Sequence, residues 1–269
     1  MLRYRVFWLF ALLLVSLLTG CAGTRNPQSG SSRAITVSTE DLDLQSGPVR
    51  FDLYRSANRS TAPAPLVVVA HGLWRDRTHM AGWGELLAQQ GFIVAVPNMP
   101  TLSDYPRNAI AINELVHSLC DHPIDSCKID RNRIGMIGLS AGGLATLLAA
   151  ADNPDVKVWV GLDPVDRGGL GVAAAPRVRA RAFIVRAPAS IWNSDGNAVV
   201  LRDALPNVVS DTLVPNAIHI DPEWPSDWTM ELLIGSPSEQ RRDEFAARAT
   251  SALRHELGDQ PTPVLTKIE

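Results

Sequence analysis

The sequence predicts an α/β protein with a mostly parallel central sheet and helices on both faces. Three observations predict it. Short apolar, β-branched runs recur along the chain, longer helical stretches alternate with them, and a Gly-x-Ser-x-Gly pattern joins one such run to an Ala/Leu-rich stretch. Continuous apolar runs mark strands buried on both faces. Alternation of strands with helices implies parallel pairing.

The elements follow in order. Val49 to Tyr54 reads as an early strand and Leu66 to Ala70 as a strand buried on both faces. A helix is expected over about Met80 to Gln90, stopped by Gly91, and Phe92 to Val96 is the next buried strand, halted by Pro97. Ala109 to Leu119 reads as a helix, Arg133 to Leu139 as a strand and Ala141 to Ala151 as a helix. Val156 to Leu162, Ala182 to Val185 and Val208 to Val214 complete the strands. Ser238 to Leu257 is a long amphipathic helix with an acidic start and Gly258 as its stop. The short stretch between Leu162 and Ala182 leaves little room for a cap domain, so an open, shallow cleft is expected.

The 269 residues, 46% hydrophobic and 20% charged, have an ordinary globular composition. That length suits one large domain, expected over residues 35–269. The formal net charge is −3, and Arg3 and Arg5 are the only charged residues among the first twenty, so the remainder is more acidic still. A mildly acidic chain without a basic stripe argues against a nucleic-acid partner.

The start of the chain reads as a targeting segment. Arg3 and Arg5 precede an apolar run from Val6 to Leu18, which ends in Thr19, Gly20 and Cys21. A positive start, a short apolar run and a small-residue exit describe an export signal over residues 1–20. The run is too short for a comfortable membrane span. Leu18-Thr19-Gly20-Cys21 resembles the lipobox of bacterial lipoproteins, which implies cleavage before Cys21 and acyl chains on that residue. Such an anchor would hold the protein at a membrane of the bacterial envelope. Ala22 in place of Asp implies the outer membrane, periplasmic side, in a Gram-negative cell. Residues 22–34, rich in Gly, Ser, Asn and Thr, read as a tether. With Cys21 assigned to lipid, Cys120 and Cys127 remain close together in an oxidising compartment, and a disulfide between them is expected.

Gly138-Leu139-Ser140-Ala141-Gly142 follows an apolar strand and opens a helix, the context a nucleophile elbow requires. Only small residues fit the flanks of so tight a turn, and the serine is projected above the sheet edge. The helix N-terminus offers N–H groups and a positive dipole end to a developing oxyanion. These residues resemble the α/β-hydrolase fold. In that fold a His-Gly pair after the corresponding strand, here His71-Gly72 after Ala70, positions the next N–H. Leu73 and Ala141 are therefore the expected oxyanion donors, and His71 is structural. Trp74 reads equally as a wall of an acyl pocket or as packing.

Six histidines compete for the role of base. His79 and His117 fall in or near expected helices, His122 sits beside the cysteine pair, and His255 lies on the last helix. His219 lies in a loop after the last strand, able to reach over the sheet edge, and it satisfies the chain order nucleophile, acid, base. For the acid, the residues alone leave Asp163, Asp195 and Asp166 open. Asp195 stands where most α/β-hydrolases keep it, and Asp163 where several lipases do.

Gly161-Leu162-Asp163-Pro164-Val165 resembles the corresponding segment of chlorophyllases. His219-Ile220-Asp221 is similar to the His-x-Asp of chlorophyllases and of dienelactone-hydrolase-like and cutinase-like esterases. The resemblance spans about Leu66 to Glu223 and implies a triad of Ser140, Asp163 and His219, with Asp221 bracing the loop. It implies cleavage of small or polymeric esters through an acyl-enzyme, with no metal and no organic cofactor. No zinc-type ligand spacing and no phosphate-binding glycine loop stands in the sequence. An envelope acyltransferase on the same triad, a peptidase and a non-catalytic binding lipoprotein are the rival readings. Trp224 and Trp228, just after His219, read equally as a rim to the site or as packing.

Overall fold

The computed structural model describes residues 33–58 and 62–258. The expected leader, Cys21 and nearly all of the expected tether lie outside the described residues.

Among the described residues, eight strands form one sheet in the order β1-β2-β4-β3-β5-β6-β7-β8. They are β1 (Ile35–Leu44), β2 (Gly47–Ser56), β3 (Ala64–Ala70), β4 (Ile93–Pro97), β5 (Ile129–Leu139), β6 (Val156–Leu162), β7 (Arg181–Arg186) and β8 (Val208–Leu213). β2 pairs antiparallel with both β1 and β4, and every other pairing is parallel. The helices are α1 (Ala81–Gln89), α2 (Tyr105–Asp121), α3 (Ala141–Asp152), α4 (Leu170–Ala174), α5 (Ala198–Ala204), α6 (Trp228–Ile234) and α7 (Glu239–Leu257).

Strand alternation divides the core into two layers. Leu66 and Val68 of β3 face a cluster with Ile112 and Leu115 of α2 and Leu144 of α3. Val67 and Val69 face the opposite cluster, with Trp83 and Leu87 of α1 and Phe245 and Leu253 of α7. Both faces are covered, which is why the inner strands read as unbroken apolar runs.

The expected elements form, and several begin earlier than the pattern indicates. Asp104 caps α2 by accepting from the Arg107 N–H, with a proline in the first turn, so the helix starts at Tyr105 rather than Ala109. Ser238 stands at the N-cap of α7. β1 was not expected: its register with β2 is regular, but it is a sheet edge with mixed exposure, and polar Thr, Glu and Asp interrupt its apolar pattern. One expectation is corrected. Cys120 and Cys127 are free thiols, not a disulfide. Cys120 lies in the last turn of α2, Cys127 follows a 3-10 turn at Ile124–Ser126, and each packs half-buried against the core as a small apolar group. Burial pushes the Cys120 thiol up.

Between β6 and β7 the chain makes only α4 and one 3-10 turn at Ala175–Arg177, so no cap domain is built there. The carboxyl ends of β3, β5, β6 and β8 open toward the same edge of the sheet, where ligand sites form in parallel sheets.

Candidate active site

Ser140 sits between β5 and α3 with φ 53° and ψ −118°. Such a conformation is costly for a residue with a side chain and persists only where the surroundings enforce it. The enforcement is visible in the flanking glycines. A Cβ on Gly138 would lie 2.2 Å from the Gly142 carbonyl oxygen, and one on Gly142 would lie 2.3 Å from that of His71. The Ser140 N–H donates to the Leu162 carbonyl at 3.0 Å, and its own carbonyl accepts from Val165 at 3.2 Å. The turn is thus tied to the strand that carries the acid.

His219 reaches Ser140 from the loop after β8. Its Nε2 lies 2.8 Å from Ser140 Oγ, and its Nδ1 lies 2.6 Å from Asp163 Oδ2. Ser140, Asp163 and His219 are therefore brought into one hydrogen-bonded series. The His219 loop is braced from two sides. Asp221, fully buried, accepts from the Ile218 N–H at 2.7 Å, the Ser238 N–H at 2.8 Å and Arg241 Nε at 2.6 Å. On the other side Trp83 of α1 donates its indole N–H to the Pro222 carbonyl at 2.7 Å, and the backbone N–H of Trp224 donates to the His79 carbonyl at 2.8 Å.

Asp163 stands just past β6 with φ 43°, and its N–H donates to the Val185 carbonyl at 2.7 Å. The carboxylate is buried. Oδ1 accepts from the Ala187 N–H at 3.0 Å, and the Asn193 amide donates at 3.3 Å to Oδ1 and 3.1 Å to Oδ2. The alternatives have other tasks. Asp166 accepts from the Gly171 N–H at 2.7 Å and fixes the start of α4. Asp195 is exposed at the surface of the loop after β7. That loop sends Asn193 toward the triad rather than Asp195. The sequence reading missed Asn193, and the only available signal was its place in a turn-rich segment at the carboxyl end of a buried strand.

Leu73 and Ala141 line a common cavity of about 180 Å³ with Trp74, Met99, Thr101, Leu102 and Tyr105. Ala141 begins α3, so its N–H has no partner within the helix. His71 supports the loop in its neutral form. Nδ1–H donates to the Gly72 carbonyl at 2.8 Å, and Nε2 accepts from the Met99 N–H at 3.1 Å. Burial pushes its pKa below the ordinary value, opposed by the bond to Gly72. The two tryptophans part company. Trp224 packs over Gly82, where a Cβ would meet its ring at 2.2 Å, and lies under the guanidinium of Arg242 at 5.7 Å. Trp228 on α6 is exposed.

This sheet order, with a strained serine at the β5–α3 turn and a histidine from the loop after β8, defines an α/β-hydrolase. The chain matches the PETase family model, described as PET hydrolase-like, over residues 19–169 and belongs to that family. It is similar to Cutinase 1 of Thermobifida cellulosilytica, 29% identical over 104 residues, which are 36% of this chain and 38% of that protein. It is similar also to a bis(hydroxyethyl) terephthalate hydrolase of Streptomyces coelicolor, 30% identical over 116 residues, 42% of this chain and 36% of that protein. A cutinase of Thermobifida fusca is 29% identical over 104 residues, covering 36% and 34% of the two chains. The chain thus spans little more than a third of the length of these relatives. The matched family segment holds Ser140 and Asp163 and ends before His219, so the assignment of His219 rests on geometry.

Proposed function

We propose that this protein is a serine hydrolase that cleaves carboxylic esters through an acyl-enzyme. The observation that carries the reading is the series Ser140–His219–Asp163, joined at 2.8 and 2.6 Å, on a strained turn at a helix N-terminus. His219 Nε2 takes the proton of Ser140 Oγ as the oxygen attacks the ester carbonyl. Asp163 holds the imidazole in the tautomer with hydrogen on Nδ1 and stabilises its charged form. The N–H groups of Leu73 and Ala141 receive the oxyanion, a donor being worth about 3 kcal/mol. His219 returns the proton to the leaving alcohol, then activates the water that releases the acid.

The substrate reading is an apolar, bulky or polymeric ester. Trp74 and Leu102 line the cavity yet are 67% and 58% exposed, an apolar rim open to solvent. The names of the relatives point the same way, to cutin and to terephthalate esters. For the start of the chain we propose export and acylation at Cys21, which would set this site at an envelope membrane; Cys21→Ala should move the protein out of the membrane fraction.

The test uses full-length protein in detergent, wild type and Ser140→Ala, with p-nitrophenyl esters of increasing chain length, bis(hydroxyethyl) terephthalate and a fluorophosphonate probe. Wild type should turn over and label, and the folded variant should lose about 10⁴-fold or more. Equal inertness of both folded proteins would remove the hydrolase reading.

A further inference from the structure

We propose that Asn193 is a positioning residue for this reaction, fixing the Asp163 carboxylate so that Oδ2 faces His219. The inference rests on the ester-hydrolase reading above and adds a fourth side chain to it.

Asp163 and Asn193 are both 1% exposed, so water is not at hand to solvate the carboxylate. Among the described residues no Lys or Arg is ion-paired with Asp163; its only salt-bridge partner there is His219. A buried carboxylate without a cation depends on hydrogen-bond donors to stay ionised and in place. Among the described residues three groups donate to it: the His219 Nδ1–H, the Ala187 N–H and the Asn193 amide. Asn193 alone approaches both carboxylate oxygens, so it opposes rotation of the carboxylate away from the imidazole.

The amide's own orientation is fixed. Its Oδ1 accepts from the Ser190 N–H at 2.8 Å and the Gly196 N–H at 2.9 Å, while Nδ2 also donates to the Pro188 carbonyl at 2.9 Å. The reverse orientation would set an oxygen against the carboxylate and the Pro188 carbonyl, and the NH₂ against two N–H groups. The backbone behind it is unusual as well. Ser194, Asp195 and Gly196 follow in succession with φ 53°, 55° and 75°. Two adjacent non-glycine residues in the left-handed region are strained, and such strain gathers at functional sites. Here it turns Asn193 inward and leaves Asp195 outside.

Asn193→Asp tests the donor apart from the loop. It keeps an acceptor for Ser190 and Gly196, loses the NH₂ and sets a second carboxyl beside Asp163. Asn193→Ala removes the whole brace. Full-length variants are compared with wild type for ester kinetics from about pH 5 to 9, the range in which an imidazole titrates, and for thermal unfolding. We expect kcat of Asn193→Asp to fall by about 10- to 100-fold, less than the roughly 10⁴-fold of a lost triad acid, with KM little changed. The acid limb of its kcat/KM profile should move to higher pH, because added negative charge favours the protonated imidazole. Unchanged kcat and an unmoved acid limb in the stable variant would overturn the proposal. Activity lost only in step with melting temperature, with the acid limb in place, would overturn it too, leaving Asn193 a loop brace. An inert wild type would instead remove the hydrolase reading itself, so the two failures are distinguishable.

Discussion

The choice of acid turns on two aspartates that sit in the loops after neighbouring strands and differ in what surrounds them. Asp163 is buried, hydrogen-bonded by a backbone N–H and an amide, and 2.6 Å from His219 Nδ1. Asp195 is exposed, and its backbone N–H closes a turn onto the Ser190 carbonyl at 2.8 Å. Asp163→Asn should therefore lower kcat/KM by about 10⁴-fold, since an amide there favours the wrong imidazole tautomer. Asp195→Asn should stay within about twofold of wild type, as exposed substitutions usually change energies by about 0.5 kcal/mol or less. The pair is measured side by side on one p-nitrophenyl ester, and the opposite ranking would move the acid to Asp195. At this scale the sequence was legible where chemistry imposes a pattern: Gly138 and Gly142 mark the tight turn, and His71-Gly72 the loop beside it. Asn193 was not legible, because its role depends on a fold-back of the loop after β7 that no local pattern announces.

Among the elements, the loop after β8 carries the base although it has no regular structure of its own. Its geometry is imposed by its neighbours, α1 through Trp83 and α7 through Arg241. Asp221 links this loop to the start of α7, with the N–H groups of Ile218 and Ser238 both donating to it. Arg241 is a quarter exposed, so water screens part of its contribution, and the two backbone N–H bonds to the buried carboxylate matter more. Asp221→Ala leaves those donors unpaired and should cost about 3 kcal/mol. For a chain of this size that lowers the melting temperature by about 6–12 °C, and kcat should fall with it because His219 lies two residues away. Calorimetry beside ester kinetics checks this; a melting temperature within about 2 °C of wild type would show that the loop holds without it. The inner strands and long helices were legible because burial on both faces writes continuous apolar runs. The exposed edge strand β1 and the short α4, α5 and α6 were not. An edge strand alternates imperfectly, and helices of five to seven residues are fixed by tertiary contacts rather than by propensity.

For the whole molecule, acid should act in two stages, each traceable to named groups. His71 is held below its ordinary value of 6.5 by burial, with the bond to Gly72 opposing. As pH falls below about 6.5 the unfolded chain takes up this proton while the folded one resists it, so stability declines from that point downward. Protonation would also set a second N–H against the Met99 N–H, which Nε2 accepts in the neutral form. A second stage lies lower. Burial pushes Asp211 up, but hydrogen bonds from Arg186 and Arg202 outweigh it and hold the carboxyl below 3.8. The unfolded chain then binds the proton first, so the stability from this cluster is complete above about pH 4 and is lost as pH falls further. Melting temperature from about pH 8 to 3 should decline gently below 6.5 and steeply below 4. Asp211→Asn should flatten only the lower limb, measured as the drop in melting temperature between about pH 5 and 3. Asp211 lies on β8, outside both the Ser140–His219–Asp163 series and the cavity lined by Leu73 and Ala141, so Asp211→Asn should leave ester turnover at neutral pH unchanged. A lower limb as steep in Asp211→Asn as in wild type would assign the acid sensitivity to other carboxylates.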